Sequence, residues 1–232
     1  KPMWGLGEVL NLAWPAALTM LNATVMRFVD GLMVGQVGPD ALSAQLYGGM
    51  GAFVPESFAV GTLTVVSTFV SQNQGASRPG ECSRYAWAGV AAAAGIALCM
   101  MPLIALAGPI FWAIGHVEAP LEAMYFRYMI VTGLFALTAL ALEQFFYGIQ
   151  RPRIVFIAST VVNGFNVFIN YVLIFGKFGL PRLELEGAAI GTLVSFVLLV
   201  AILATDFLAR RPHARFGTRR LAPRPRHVLD LL

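Results

Sequence analysis

The chain has 232 residues, of which 58% are hydrophobic and only 12% charged, and its mean hydropathy is +0.72. Soluble domains carry roughly 25% charged residues, so the composition excludes an ordinary water-soluble domain and indicates an integral membrane protein. The net charge of +4 comes from arginines flanking apolar runs, which makes it a mark of orientation and gives no reason to expect a nucleic-acid partner.

Six apolar windows, each about the 20 residues that cross a ~30 Å hydrocarbon core as helix, fall near 8–35, 42–72, 85–107, 121–150, 153–176 and 187–208. Each is a continuous run without the alternation of a barrel strand, which predicts an all-α polytopic membrane protein with a six-helix transmembrane bundle. The first window lacks the short apolar core and small-residue cleavage site of a signal peptide and contains Pro15, Arg27 and Asp30. The turn Gly38-Pro39-Asp40 separates it from the second, which holds Pro55 and Glu56; the loop 75–84 precedes the third, which holds Cys99 and Pro102. Glu118-Ala119-Pro120 leads into the fourth, which carries Glu143, and Arg151-Pro152-Arg153 into the fifth, which carries Asn163, Asn166 and Asn170; Thr192 lies in the sixth. Prolines inside spans kink helices, and Pro55 and Pro102 are expected to give static bends. Connections this short leave no room for a soluble catalytic domain and place sequential helices as antiparallel neighbours. Residues 1–209 are expected to form the membrane unit and 210–232 a basic linker that ends on entering a seventh helix.

Loops rich in Lys and Arg stay cytoplasmic. With both termini inside, twelve basic residues fall on the inner side, seven of them in the 210–226 tail, and only Lys177 and Arg182 fall outside. The expected setting is therefore the plasma membrane, a bacterial inner membrane, with the N-terminus cytoplasmic. Cys82 is expected in an inner loop and Cys99 deep in the third span, which leaves no disulfide.

Asp30 is the residue that composition explains least, because an ionisable group inside a span costs roughly 2.5–3.5 kcal/mol. Asp30 lies five residues before the end of span one, Asn170 five before Phe175, and Thr192 five after Gly187, so at 1.5 Å per residue all three sit at a common depth. Asn163, Asn166 and Asn170 follow i, i+3, i+7 spacing and share one face of span five. A carboxylate, amide oxygens and a hydroxyl at one level suit a proton or a small cation such as sodium. Two other readings stand beside this: asparagines and threonines also bind membrane helices together, the expectation for Asn163, and Asp30 has Arg27 and Arg127 as candidate ion-pair partners. Glu56, near mid-membrane, and Glu143, late in span four, are candidate walls of a substrate cavity, with Arg151 or Arg153 as alternative partners of Glu143. His116, His213 and His227 all fall in loop or tail, and neither His-Glu-x-x-His nor Gly-x-Ser-x-Gly occurs, so no enzyme chemistry is indicated.

The sequence resembles the N-terminal half of a multidrug and toxic compound extrusion (MATE) transporter, nearest the NorM-like branch. The resemblance is carried in combination by Val29-Asp30-Gly31-Leu32-Met33-Val34-Gly35, Val70-Ser71-Gln72-Asn73-Gln74-Gly75-Ala76, the run from Asn166 to Gly176, and Glu186-Gly187-Ala188-Ala189-Ile190-Gly191-Thr192. It implies one lobe of a twelve-helix, two-lobe antiporter that exports cationic or amphipathic organic compounds in exchange for protons or sodium. It also implies a cation site on Asp30, Asn166, Asn170 and Thr192, bending at Pro15, no cofactor besides the coupling ion, and membrane lipid and a small organic substrate as partners. Several relatives carry Asp where this chain has Asn170, so a second carboxylate is lacking. On this resemblance the chain is a fragment without its C-terminal lobe, the alternative being a half-transporter that dimerises. A lipid-linked precursor flippase of the same wider superfamily and a non-transporting scaffold subunit are the competing functions.

Overall fold

Helix after helix begins at a proline. The computed structural model describes residues 6–219 and 225–231, and in it Pro39, Pro79 and Pro152 open α2 (Pro39–Gly75), α3 (Pro79–Met100) and α6 (Pro152–Phe175). A proline there gives up an N–H that has no helical acceptor anyway. The remaining helices are α1 (Leu6–Gly35), α4 (Leu103–Ile114), α5 (Ala119–Gly148), α7 (Glu184–Leu208), α8 (Arg210–Phe216) and α9 (Pro225–Leu229). Gly115 and Gly176 end α4 and α6 with φ of 80° and 64°, the left-handed turn that an uncapped carbonyl end favours. Six of the helices, α1, α2, α3, α5, α6 and α7, are long and apolar enough to cross a membrane.

α5 is the central element, packing on α2, α3, α4 and α7. It meets α2 closely at Gly148, where a Cβ would stand 2.6 Å from the Val70 side chain and 3.0 Å from the Ser67 carbonyl oxygen, and at Gly48 of α2, where a Cβ would stand 2.7 Å from the Glu122 carbonyl oxygen. Small residues are what let membrane helices come this close. α1 lies parallel to α6, as three contacts in rising register show: Trp14 meets Phe156, Asn22 meets Thr160 and Asn163, and Asp30 meets Asn170. One apolar core, built around Phe145, Phe146, Phe207 and Phe216, fills the end of the bundle where α8 and α9 lie. A second, around Leu63, Phe111, Phe126 and Ile130, fills the space among α2, α3, α4 and α5.

Three expectations are corrected here. Sequential helices are not uniformly neighbours: α1 and α2, joined by a short turn, barely touch, and α1 rests on α6 instead. A short turn fixes only the two helix ends, and beyond it α1 and α2 splay apart around a cavity. The third apolar run is not one bent helix, because at Met101-Pro102 the chain breaks into α3 and α4; proline cannot donate the i→i−4 bond, and the chain crosses the gap with turns from Ile104 N to Met101 O and from Ala105 N to Pro102 O. Cys82 sits inside α3, not in a loop, buried with its thiol 3.4 Å from the Val70 carbonyl; Cys99, on the same helix, is exposed and both thiols are free.

The basic tail folds back onto α3. Trp87 donates Nε1–H to the Thr218 carbonyl at 2.8 Å, Tyr85 donates its hydroxyl to Asp230 at 2.9 Å, and His227 Nε2 lies 2.9 Å from Glu81 Oε2. Phe216 and Leu231 are buried against the bundle.

Candidate functional site

Between the splayed helices lies a cavity of about 620 Å³, walled by α1, α2, α5, α6 and α7. Asp30 reaches it from α1, Asn166 from α6 and Thr192 from α7. Asn170 stands directly behind them, fully buried. Its Nδ2 donates to Asp30 Oδ1 and to Asn166 Oδ1, both at 2.9 Å. Asn166 in turn donates Nδ2 to Ser195 Oγ at 2.9 Å and to the Gly191 carbonyl at 3.3 Å, and Ser195 donates to that same carbonyl at 2.7 Å. The result is one continuous network from α1 through α6 to α7. Charge-assisted bonds of this kind are the strong members of such a network, and in an apolar bundle the asparagine pair on α6 fixes where the carboxylate can be.

Asn170 Oδ1 is buried without a hydrogen-bond partner. It points at Gly191, where a Cβ would overlap it. An orphaned buried oxygen is costly, and this one is packed directly against the α7 backbone. The donor set, one carboxylate with amide and hydroxyl oxygens, is that of a hard cation or a proton.

Asp30, Asn166 and Thr192 meet at one cavity, with Asn170 bonded to Asp30 and Asn166 behind them. Thr192 faces the cavity, but its hydroxyl donates to the Ala188 carbonyl of its own helix at 2.9 Å; only its lone pairs are available to the site. Asn163 lines the cavity and also reaches the Asn22 carbonyl at 3.4 Å. Among the described residues no basic group lies within ion-pair distance of Asp30. Arg27 shares the cavity wall, and Arg127 turns away to donate Nε–H to the Ile104 carbonyl at 3.3 Å. Glu56 lines the cavity, its carboxyl against Gly133 of α5. Glu143 does not: it lies ten residues beyond Gly133 on α5, roughly 15 Å along the axis, and takes no part in the cavity wall. Ser195 and Gly191 complete the network although neither stood out in the sequence. A hydroxyl one turn after Thr192 on the same face was the available signal.

The MatE family model matches residues 15–172. Two curated relatives, both described as "Probable multidrug resistance protein NorM", come from Burkholderia mallei, 32% identical over 84% of this chain and 43% of that protein, and from Pseudomonas aeruginosa, 30% identical over 97% of this chain and 46% of that protein. The chain thus spans less than half the length of these relatives. A solved MOP superfamily transporter from Pyrococcus furiosus superposes with a TM-score of 0.85 over 97% of this chain and 50% of its own, at 19% identity, a likeness of fold alone. With the family model covering more than half of its residues, the chain belongs to the MatE family, a family of membrane transporters rather than enzymes.

Proposed function

We propose that the chain forms one lobe of a secondary antiporter that exports cationic or amphipathic organic compounds in exchange for protons or sodium, with the coupling ion taken up at Asp30. The observation that carries this reading is the Asp30–Asn170–Asn166–Ser195 network, which places one carboxylate of a membrane-spanning helix at the wall of a drug-sized cavity and ties it to two further helices. The relatives' description as multidrug resistance proteins supports drug export. A proton can add to Asp30 while Asn170 goes on donating to it, so proton coupling needs no rearrangement of the network. A sodium ion needs the Asn170 amide to turn, which would gather oxygens of Asp30, Asn166 and Asn170 around it.

Loading the site changes the charge and the hydrogen bonding that hold α1 to α6 and α7. α1 runs unbroken through Pro15, and bending at that proline is the movement this change would drive. The flippase alternative calls for a basic cavity to hold a diphosphate, whereas among the described residues Arg27 is the one basic residue of this wall, which also holds two carboxylates, Asp30 and Glu56. A scaffold subunit leaves the cavity unexplained. In this reading the N-terminus is cytoplasmic, the setting is a bacterial inner membrane, and residues 210–232 lead toward a second lobe.

The test is Asp30→Asn in the transporter that contains this chain, reconstituted in vesicles under an imposed pH or sodium gradient. The substitution keeps side-chain shape and removes a costly charge, so insertion and yield are expected to be normal while gradient-driven efflux is lost. Undiminished gradient-driven efflux would reduce Asp30 to a structural role.

A further inference from the structure

The two carboxylates of the cavity stand in different surroundings. Asp30 is held by an asparagine that is itself held by another. Glu56, on α2, makes no hydrogen bond or ion pair with any side chain among the described residues. Its carboxyl rests where α5 has no side chain: a Cβ on Gly133 would lie 2.8 Å from Glu56 Oε1. Phe53, Met129 and Ala52 line the same cavity, as do Arg27, Gln45 and Asn163, and Thr132, beside Gly133, spends its hydroxyl proton on the Tyr128 carbonyl at 2.8 Å.

An inorganic cation stripped of water requires several oxygens around it, and Glu56 brings one carboxylate that no neighbouring side chain hydrogen-bonds, in a wall that also carries methionine and phenylalanine. An organic cation with a diffuse charge and a large apolar body requires the opposite. It is weakly hydrated, it takes one counter-charge, and it buries its rings against methionine and aromatic side chains, which are adaptable partners of variable shapes. A cavity of about 620 Å³ is within the range that holds a drug-sized molecule.

We infer that Glu56 is the anchor for the positive charge of the transported compound, separate from the coupling-ion carboxylate at Asp30, within the organic-cation class proposed above. This rests on the antiporter reading for its biological sense, but binding can be measured without any gradient. The experiment uses the transporter that contains this chain, purified in detergent, with tetraphenylphosphonium as the cationic probe and triphenylphosphine oxide as a neutral probe of related shape. Glu56→Gln is expected to weaken tetraphenylphosphonium binding at least tenfold and to leave the neutral probe within twofold of wild type. Glu56→Asp, which keeps the charge, is expected to retain most of the cation affinity. Cation affinity unchanged in Glu56→Gln overturns the assignment. So does an equal loss of both probes, which is a change of cavity shape, and so does a wild-type protein that does not bind the cation. Normal gradient-driven efflux in Asp30→Asn would instead sink the coupling reading and leave Glu56 in place.

Discussion

Asn170 can sit between Asp30 and Asn166 because α7 presents a glycine where the amide meets it. A methyl group on Gly191 would overlap Asn170 Oδ1, and neither helix has slack there, since Asn166 and Ser195 both bond to the Gly191 carbonyl. Gly191→Ala is therefore expected to force Asn170 out of position and to lower stability by about 1–3 kcal/mol, the usual cost of overpacking a core. A thermal melt of the purified protein would register it as a lower Tm, with a parallel loss of ion-driven efflux; an unchanged melt would mean that Asn170 is not pinned as described. Such residues also show what the sequence reveals and what it hides. Asp30 is legible because an ionisable group in an apolar run stands out by chemistry alone, and its level follows from counting 1.5 Å steps. Gly191 and Ser195 are hidden because small residues are ordinary in membrane helices. Glu56 and Glu143 differ in level along their spans, but composition does not tell which side of its helix each one faces, and only α5's placement against α2 shows that Glu56 opens to the cavity and Glu143 does not.

At the scale of elements, the apolar runs reported helix existence faithfully and helix partnership poorly. Length and continuity determine whether a segment can span a bilayer, whereas partners depend on where small residues permit approach, as Gly148 does between α5 and α2. Pro102 stood out as a distortion, but whether a proline bends or splits a helix depends on neighbouring contacts that the sequence does not display. The tail was harder still. Its seven arginines mask the apolar residues that dock it, Phe216 and Leu231, which fill the same core as Phe145 and Phe207. That docking has a measurable consequence. Leu231 is 4% exposed, and placing a charge there is costly by several kcal/mol unless the segment lets go. Leu231→Asp is expected to release α9 from α3 and to speed tryptic cleavage after Arg226 at least ~10-fold, since local opening by about 1.4 kcal/mol or more raises the cleavable population by that factor. Digestion followed by mass spectrometry reads the rate, and an unchanged rate would show that the buried leucine does not hold the tail.

For the whole molecule, the arrangement of charge and the arrangement of helices make independent statements that have to agree. The helices put 75–84, the junction of α5 with α6, and α8 with α9 at one end of the bundle, as the contacts of Tyr85, Trp87 and Glu81 with the tail require. The same end carries Arg78, Arg84, Arg151, Arg153 and the basic tail, while the opposite end has Lys177 and Arg182. Since short basic loops are retained on the cytoplasmic side, the crowded end is expected to face the cytoplasm and the loop after α6 the exterior. Ser77 and Gly179 are suitable reporters, because both are in turns and exposed. After replacement of Cys82 and Cys99, single cysteines at these two positions would be treated on intact cells with a membrane-impermeant maleimide. The cysteine at 179 is expected to react readily, and the one at 77 only after the membrane is permeabilised. Reaction at 77 but not at 179 in intact cells would invert the topology, and with it the side from which the proposed coupling ion would reach Asp30.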